Sequence, residues 1–280
     1  MPRSVTYLFG RLNIIAPESD KLTIYSTALR QSAPALRHRL HRWGFSDVVL
    51  VQDDDLGDFY EGYLVKFKDQ ESVEVVDTEA RMIEDESVHN LVAAHSRFFL
   101  HLGSGIIAYH PVGTQISGPA FVMRFAELVE HAFDNFFISA EILPINEPEV
   151  LAEAIRRFDR IDHLSIYLHP SNPSNRQLWR RIDERLQAMN AIDYREEYHG
   201  KGSEGGLKPE IDKSIGRKIA MAEDGYGHAE FTGMRKGKRR TVSTRSSPLS
   251  AAAPGDATPS SSVLKALSDS FHSVLGRFNK

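Results

Sequence analysis

The sequence predicts an α+β fold with mixed, largely antiparallel sheets, packed helices and an amphipathic C-terminal tail helix. Apolar runs in the first part of the chain predict several strands and few helices. In the second part, strand patterns alternate with helix patterns. A doubly wound parallel sheet would need glycine-rich turns between strand and helix, and these alternating segments do not contain them in the required context. An α+β arrangement is therefore favoured.

In the first part, helix signals are sparse. Pro34 follows Ser32 at a typical helix start and Gly44 stands at a typical helix end, which predicts a short helix over residues 34–43. Residues 79–94 are also expected to be helical. Strands are predicted over residues 5–15, 21–25, 46–52, 59–69 and 72–77.

A hairpin is predicted in the segment RFFLHLGSGIIAYHPVG, residues 97–113. Two apolar runs flank Gly103 and Gly105, and glycine supplies the backbone angles that a tight turn requires. The helix that begins at Pro119 is apolar on most sides, which is typical of a core helix.

In the second half of the chain, predicted helices alternate with predicted strands. Helices are predicted over residues 119–135, 146–158, 175–190 and 209–222. Strands are predicted over residues 136–145, 163–170, 191–200, 226–233 and 239–244, the last two forming a hairpin around the tetrapeptide RKGK.

These elements divide the chain into four parts. Residues 1–118 form a strand-rich α+β part, and residues 119–245 form an alternating part with a basic surface. Residues 246–262 are rich in Ser, Ala and Pro and predict a flexible linker. Residues 263–280 predict a tail helix that docks on its own domain or on a second subunit, because a helix of this length is marginal alone. Its apolar stripe consists of Val263, Leu264, Leu267, Phe271, Val274, Leu275 and Phe278.

Composition narrows the class of protein. Of 280 residues, 41% are hydrophobic and 26% charged, as in a soluble globular protein. The chain contains no cysteine, which excludes disulfides, thiolate nucleophiles and Cys-ligated metals. The N-terminal segment lacks the features of a signal peptide, and no apolar run reaches the roughly 20 residues of a membrane span. We therefore expect a cytoplasmic protein that does not associate with membranes.

Charge is unevenly distributed along the chain. The formal net charge is −4, yet residues 53–86 contain thirteen acidic side chains, and residues 176–245 contain sixteen basic against eleven acidic ones. This asymmetry predicts a dipolar surface with one face for anions. The alternative is that both regions are ordinary solvated faces.

Binding of nucleic acid is the leading functional prediction. Phosphate neutralisation needs exposed cations and no base-reading residues, so we expect sequence-nonspecific, non-enzymatic binding of duplex DNA. No catalytic residue, cofactor or metal ion is predicted. The cations must share one face to act together. The predicted phosphate contacts are Arg180, Arg181, Arg217, Lys218, Arg235, Lys236, Lys238, Arg239 and Arg240.

Three alternatives remain open at this point. His163 and Ser165 match one copy of the His-x-Ser/Thr motif of two-histidine phosphoesterases, although a second copy on a strand is missing. A metal-dependent nuclease could use residues 53–55, three aspartates that more often form a solvated turn. The third alternative is an adaptor that binds a partner protein through the tail helix.

Two segments carry a resemblance to a known group of proteins. They are LSIYLHPSNPSN, followed by an amphipathic helix, and GYGHAEFTG, followed by RTVST. With the hairpin of residues 97–113, this layout resembles bacterial anti-phage proteins of the RexA and KwaB kind and related defence-island families. The resemblance covers residues 97–245. It implies a non-enzymatic, homodimeric protein that contacts the DNA backbone and serves in phage defence.

Overall fold

The structure is a computed structural model that describes residues 4–15, 21–30, 36–77, 82–133, 138–148, 150–171, 176–201, 205–207, 213–255 and 258–278. The strands are β1 (Ser4–Ile15), β2 (Leu36–His38), β3 (His41–Asp53), β4 (Gly57–Asp77), β5 (Met82–His101), β6 (Ile106–Tyr109), β7 (Ser139–Pro144), β8 (Arg160–Leu168), β9 (Tyr194–His199), β10 (Gly227–Arg235), β11 (Lys238–Ser243) and β12 (Ser250–Pro254). The helices are α1 (Lys21–Arg30), α2 (Gly118–His131), α3 (Val150–Arg156), α4 (Arg180–Ala188), α5 (Lys213–Met221) and α6 (Ser260–Leu275). The predicted α+β class and the C-terminal helix are confirmed.

The first sheet has eight strands in the order β12-β1-β6-β5-β4-β3-β2, with β7 also paired to β1. Its pairings are antiparallel. Helices cover both faces, because neighbouring residues of a strand point to opposite sides. Phe98 packs with Phe121 and Phe125 of α2, whereas Phe99 belongs to the core beneath α6.

Beyond this sheet, β4 and β5 continue as a two-stranded arm made of residues 68–77 and 82–91. The register runs from Lys68 opposite Leu91 to Asp77 opposite Met82, whereas the pairing of β4 with β3 ends at Phe67. The described side chains of the arm are exposed or half-buried. Its described acidic residues, Asp69, Glu71, Glu74, Asp85 and Glu86, are therefore exposed or half-buried and lie on both sides of the arm.

The second sheet has four antiparallel strands in the order β11-β10-β8-β9. One face is covered by α3, α4 and α5, and its apolar side chains form a separate core around Trp179. Along β8 the buried residues Leu164, Ile166 and Leu168 alternate with half-buried residues on the other side. We call that other side the open face.

Three predicted elements of the first part are wrong. Residues 21–25 open helix α1, in which Ile24, Tyr25, Ala28 and Leu29 are buried at helical spacing. The helix predicted over residues 34–43 is a hairpin of β2 and β3, with Trp43 buried opposite Leu36; residues 34 and 35 lie outside the described residues.

The third error concerns the segment after the acidic run. Residues 82–94, predicted as helix, belong to strand β5, which pairs with β4 from Met82 to His101. Cross-strand pairing has overridden the helical preference of its glutamates. Residues 79–81 lie outside the described residues, as do the predicted helix starts at Asn175 and Pro209.

The segment predicted as a flexible linker contains ordered backbone. Residues 250–254 form β12, an edge strand whose pairing with β1 runs from Ser4 opposite Pro254 to Leu8 opposite Ser250. Five residues of this segment therefore belong to the first sheet.

The tail helix docks on the chain itself, which is one of the arrangements that the sequence left open. The buried side chains of α6 pack on Phe9 and Phe59, and the ring centroid of Phe271 lies 5.2 Å from that of Phe9 and 5.1 Å from that of Phe59. The first sheet therefore covers most of the apolar stripe, and Phe278 at its end also packs on Trp179 and Tyr226 of the second core. Among the described residues, no helix combines the length and apolar character that a membrane crossing needs.

The two sheets and the tail meet at the carboxylate of Asp224, which is 1% exposed. It accepts hydrogen bonds from Trp179 Nε1 at 2.9 Å, Arg176 Nη1 at 3.3 Å and Arg277 Nη1 at 3.3 Å. Its backbone oxygen accepts from Nε of the buried Arg11 at 2.9 Å. Arg11 also lies over the ring of Tyr226, 4.4 Å from its centroid. This cluster fixes the second sheet against β1 and the end of α6.

Candidate functional site

The basic hairpin predicted from the sequence is present. Strands β10 and β11 pair from Glu230 opposite Ser243 to Arg235 opposite Lys238. The two turn residues, Lys236 and Gly237, have φ values of 51° and 71°. Positive φ at both positions is typical of the type I′ turns that suit the twist of a hairpin. The turn is anchored because the backbone N–H of Lys236 donates to Asp159 Oδ2 at 2.6 Å.

The hairpin cations point into solvent. Lys236, Lys238, Arg239 and Arg240 are exposed, and Arg235 is half-buried. Within the described part of the chain, none of the five makes an ion pair with a carboxylate. The pairing places Lys238 and Arg240 on one face of the ribbon and Arg239 on the other. The tip is thus basic on both sides.

The predicted helix cations have different surroundings. Arg180 and Arg181 on α4 are exposed, as is Arg217 on α5. Lys218 instead forms an ion pair with Glu196 and donates to the hydroxyl of Tyr194 at 3.1 Å. Burial opposes the charge on Lys218, but the hydrogen bonds to Glu196 and Tyr194 outweigh it and raise the pKa of the ammonium. The charge of Lys218 is already compensated within the fold.

The cations do not converge on one patch. The hairpin tip lies beside Arg160 at the start of β8, which pairs with Met234. Helix α4 begins after Trp179, which bonds to Asp224 beyond the far end of β8. The nine residues of β8 span the distance between these places, roughly 26 Å at 3.3 Å per step. The hairpin cations therefore form a patch of their own.

The open face of the second sheet carries a group of polar side chains that the sequence did not bring together. Along β8 this face shows His163, Ser165 and Tyr167. The register places residues of β10 on one side of them and residues of β9 on the other. These flanking residues are His228, Glu230 and Thr232 on β10, and Arg195, Glu197 and His199 on β9.

A register shift at the start of β8 determines which side chains face the core and which lie on the open face. Thr232 pairs with His163, but the next residue, Gly233, pairs with Ile161, so Asp162 is the extra residue of a β-bulge. This shift lets Ile161 and Leu164 both face the core while His163 lies on the open face. An ideal Cβ on Gly233 would lie 2.1 Å from the backbone oxygen of Arg160, so the close strand approach at the bulge requires glycine.

His163 lies directly opposite His199, and their ring centroids are 4.7 Å apart. Glu197 lies two residues before His199 on the same strand face, with its carboxylate 3.8 Å from His199 Nε2. One ligand atom from each of the three side chains lies within 4.8 Å of the others. Within the described ranges, this is the one such group of three or more His, Asp or Glu residues.

A polar cleft of about 360 Å³ adjoins this group. Burial and the nearby Arg245 guanidinium lower the pKa of His228 to about 4. Burial of Glu141 would raise its pKa, but the hydrogen bond with His169 and the charge of Arg245 lower it instead. The cleft therefore holds a neutral imidazole beside a charged carboxylate near neutral pH. Its lining includes Glu141, Ser165, Tyr167, Arg195, Glu197, His228 and Arg245.

The aspartates of residues 53–55 form a turn. Asp53 Oδ1 accepts from the backbone N–H groups of Asp55 at 3.1 Å and Leu56 at 2.9 Å. Asp55 pairs with His272 of the tail helix at 3.1 Å. Asp53 therefore caps a turn and Asp55 contacts α6. This arrangement agrees with the alternative in which the aspartates form a solvated turn.

The chain also matches a protein family. Residues 5–269 match the family model described as "Domain of unknown function (DUF4747)". The chain belongs to the DUF4747 family. A search of curated proteins finds no match.

For this DUF4747 chain, sequence reasoning found the hairpin but missed most of the open face. The sequence predicts His163 and Ser165 as half of a catalytic motif, but it does not reveal their partners on β9. The available signal was the alternation Glu197-Tyr198-His199 in a short strand, which places an acid and an imidazole on one face. The sequence alone does not give the register of β8 and β9, which places His199 opposite His163.

Proposed function

We propose that this protein binds duplex nucleic acid, with DNA as the expected form, through the β10–β11 hairpin and without sequence specificity. The observation that carries the proposal is the solvent exposure of four hairpin cations that make no ion pair with a described carboxylate. These cations are Lys236, Lys238, Arg239 and Arg240. The proposed surface is smaller than the one expected from sequence, because the helix cations lie elsewhere.

The physical basis is counterion release. Each phosphate neutralised by a lysine or arginine frees a condensed cation, so affinity falls steeply as salt rises. A two-stranded ribbon is narrow enough to enter a groove, and cations on both of its faces can reach both flanking phosphate backbones. The acidic arm would be repelled by the same backbone, which favours approach from the hairpin side.

The proposed setting is phage defence in the bacterial cytoplasm. The resemblance to proteins of the RexA and KwaB kind supports this setting, and it also supports a homodimer. Two hairpins related by a twofold axis would double the number of phosphate contacts. We propose no catalytic residue for the binding itself.

The test compares charge removal at the hairpin with charge removal at the helices. Fluorescence anisotropy on several unrelated DNA duplexes is measured over a salt series. The hairpin variant carries K236Q, K238Q, R239Q and R240Q, and we expect its log–log salt slope to flatten by about one unit per lost contact, equally on every duplex.

The matched control carries R180Q, R181Q and R217Q. Arg180 and Arg181 lie beyond the far end of β8, and Arg217 lies next to Lys218, which pairs with Glu196 of β9 at the sheet edge opposite β11. We expect the salt slope of this control to stay close to that of the unmodified protein. Binding that survives unchanged in the hairpin variant overturns the proposal. Equal losses in both variants would show a broader surface than the one proposed.

A further inference from the structure

We infer that His163, Glu197 and His199 form a binding site for a divalent transition-metal ion on the open face of the second sheet. The inference is independent of the proposed nucleic-acid binding. The three residues lie on β8 and β9, whereas the hairpin cations lie around the turn between β10 and β11. Neighbouring strands are about 4.8 Å apart, so the site lies two strand spacings (β8) to three strand spacings (β9), or roughly 10–14 Å, across the sheet from β11.

The register of β8 and β9 already brings the three proposed ligands together. His163 and His199 are directly opposed in the β8–β9 register, and Glu197 is on the same face one pleat away. The bulge at Asp162 turns His163 to this face. Three ligands from two hydrogen-bonded strands therefore converge without a loop having to fold over them.

The distances suit a small metal ion. Tetrahedral zinc with bonds of about 2.0–2.1 Å holds its ligand atoms roughly 3.3 Å apart. The three ligand atoms here lie within 4.8 Å of one another. Glu197 and His199 have side chains that are 60% and 71% exposed, so they can rotate to close the remaining gap without repacking the core.

The donor set indicates which ion would bind. Two imidazoles and one carboxylate suit zinc and other late first-row metals, whereas magnesium and calcium prefer oxygen ligands alone. Three protein ligands leave one coordination position open, as in catalytic rather than structural zinc sites. That position faces solvent, where water or an anionic oxygen can bind.

The surroundings favour an anionic ligand at the open position. Ser165, the next residue after His163 on the open face, lines the polar cleft together with Glu197. Arg195 and Arg245 also line it, and both can donate to phosphate or carboxylate oxygens. The chemical class we infer is a metal-bound oxyanion.

The test titrates the full-length, metal-free protein with Zn²⁺ and measures binding by calorimetry. We expect one ion per chain. Replacing either histidine, as H163A or H199A, should weaken binding on the order of 100-fold, and E197Q should weaken it less. Circular dichroism of each variant checks that the fold is intact.

The matched control is H272A, which removes an exposed imidazole from a two-residue pair with Asp55. Its affinity for Zn²⁺ should equal that of the unmodified protein. Co²⁺ gives a second measurement, because its visible absorption reports the coordination by imidazole and carboxylate in the unmodified protein without any substitution. Failure of the unmodified protein to bind Zn²⁺ with saturation, or undiminished binding by both histidine variants, overturns the inference.

Discussion

At the scale of single residues, the buried carboxylate of Asp224 constrains how the two sheets and the tail helix fit together. It is shared by Trp179, Arg176 and Arg277, which come from the approach to α4 and from the end of the tail helix. Removing one partner of a buried charge cluster leaves the others desolvated and uncompensated. Asp224 is therefore a structural residue rather than a candidate catalytic one.

This arrangement predicts the effect of D224A. We expect the free energy of unfolding to fall by about 3–5 kcal/mol, because Arg277 would remain buried without its carboxylate. Urea denaturation followed by circular dichroism measures the change. The control is E153Q, which removes an exposed pair with Arg157 and should cost no more than about 0.5 kcal/mol. A loss for D224A as small as that of the control would contradict the structural role.

At the scale of elements, the local sequence predicts a helix or strand correctly where the tertiary packing favours the same structure. The apolar residues of α2 and α6 repeat at helical spacing and are buried in the structure, so both helices could be predicted. Residues 34–43 carried helix-start and helix-end signals, but the segment instead pairs as β2 and β3. Pairing partners distant in sequence decide such segments, and a single sequence does not reveal them.

The docked tail helix predicts a large effect for F271A. Phe271 is fully buried and its ring packs edge-on against Phe9 and Phe59. Its truncation should lower the free energy of unfolding by about 3–5 kcal/mol. Chemical denaturation measures this loss, and limited proteolysis should show faster cleavage near the tail. S273A, an exposed change on the same helix, should leave both measurements unchanged; equal stability of the two variants would mean that the tail is not docked.

At the scale of the whole molecule, the two sheets are expected to unfold together. They are joined by the Asp224 cluster and by Arg11, which donates from β1 to the backbone of Asp224. The β10–β11 hairpin could be predicted from the sequence because its cations and its turn lie within one short segment. The open face could not, since its members lie on three strands whose order and register arise only in the folded chain.

The two tryptophans test this cooperativity. Trp43 is buried in the first core and Trp179 in the second, so W179F reports on the first sheet and W43F on the second. In each variant, we expect the fluorescence transition in urea to coincide with the transition measured by circular dichroism. A fluorescence midpoint displaced from the circular dichroism midpoint in either variant would show that the sheets unfold separately.

The two-stranded arm has a consequence for how the particle moves in solution. Nine steps along the strand make the arm roughly 30 Å long. A compact chain of 280 residues has a radius of gyration of about 19 Å, so the arm exceeds that radius. Its drag makes a single chain elute in gel filtration ahead of its mass, like a larger sphere. The number of chains in the particle is therefore to be measured by light scattering, which reports mass independently of shape.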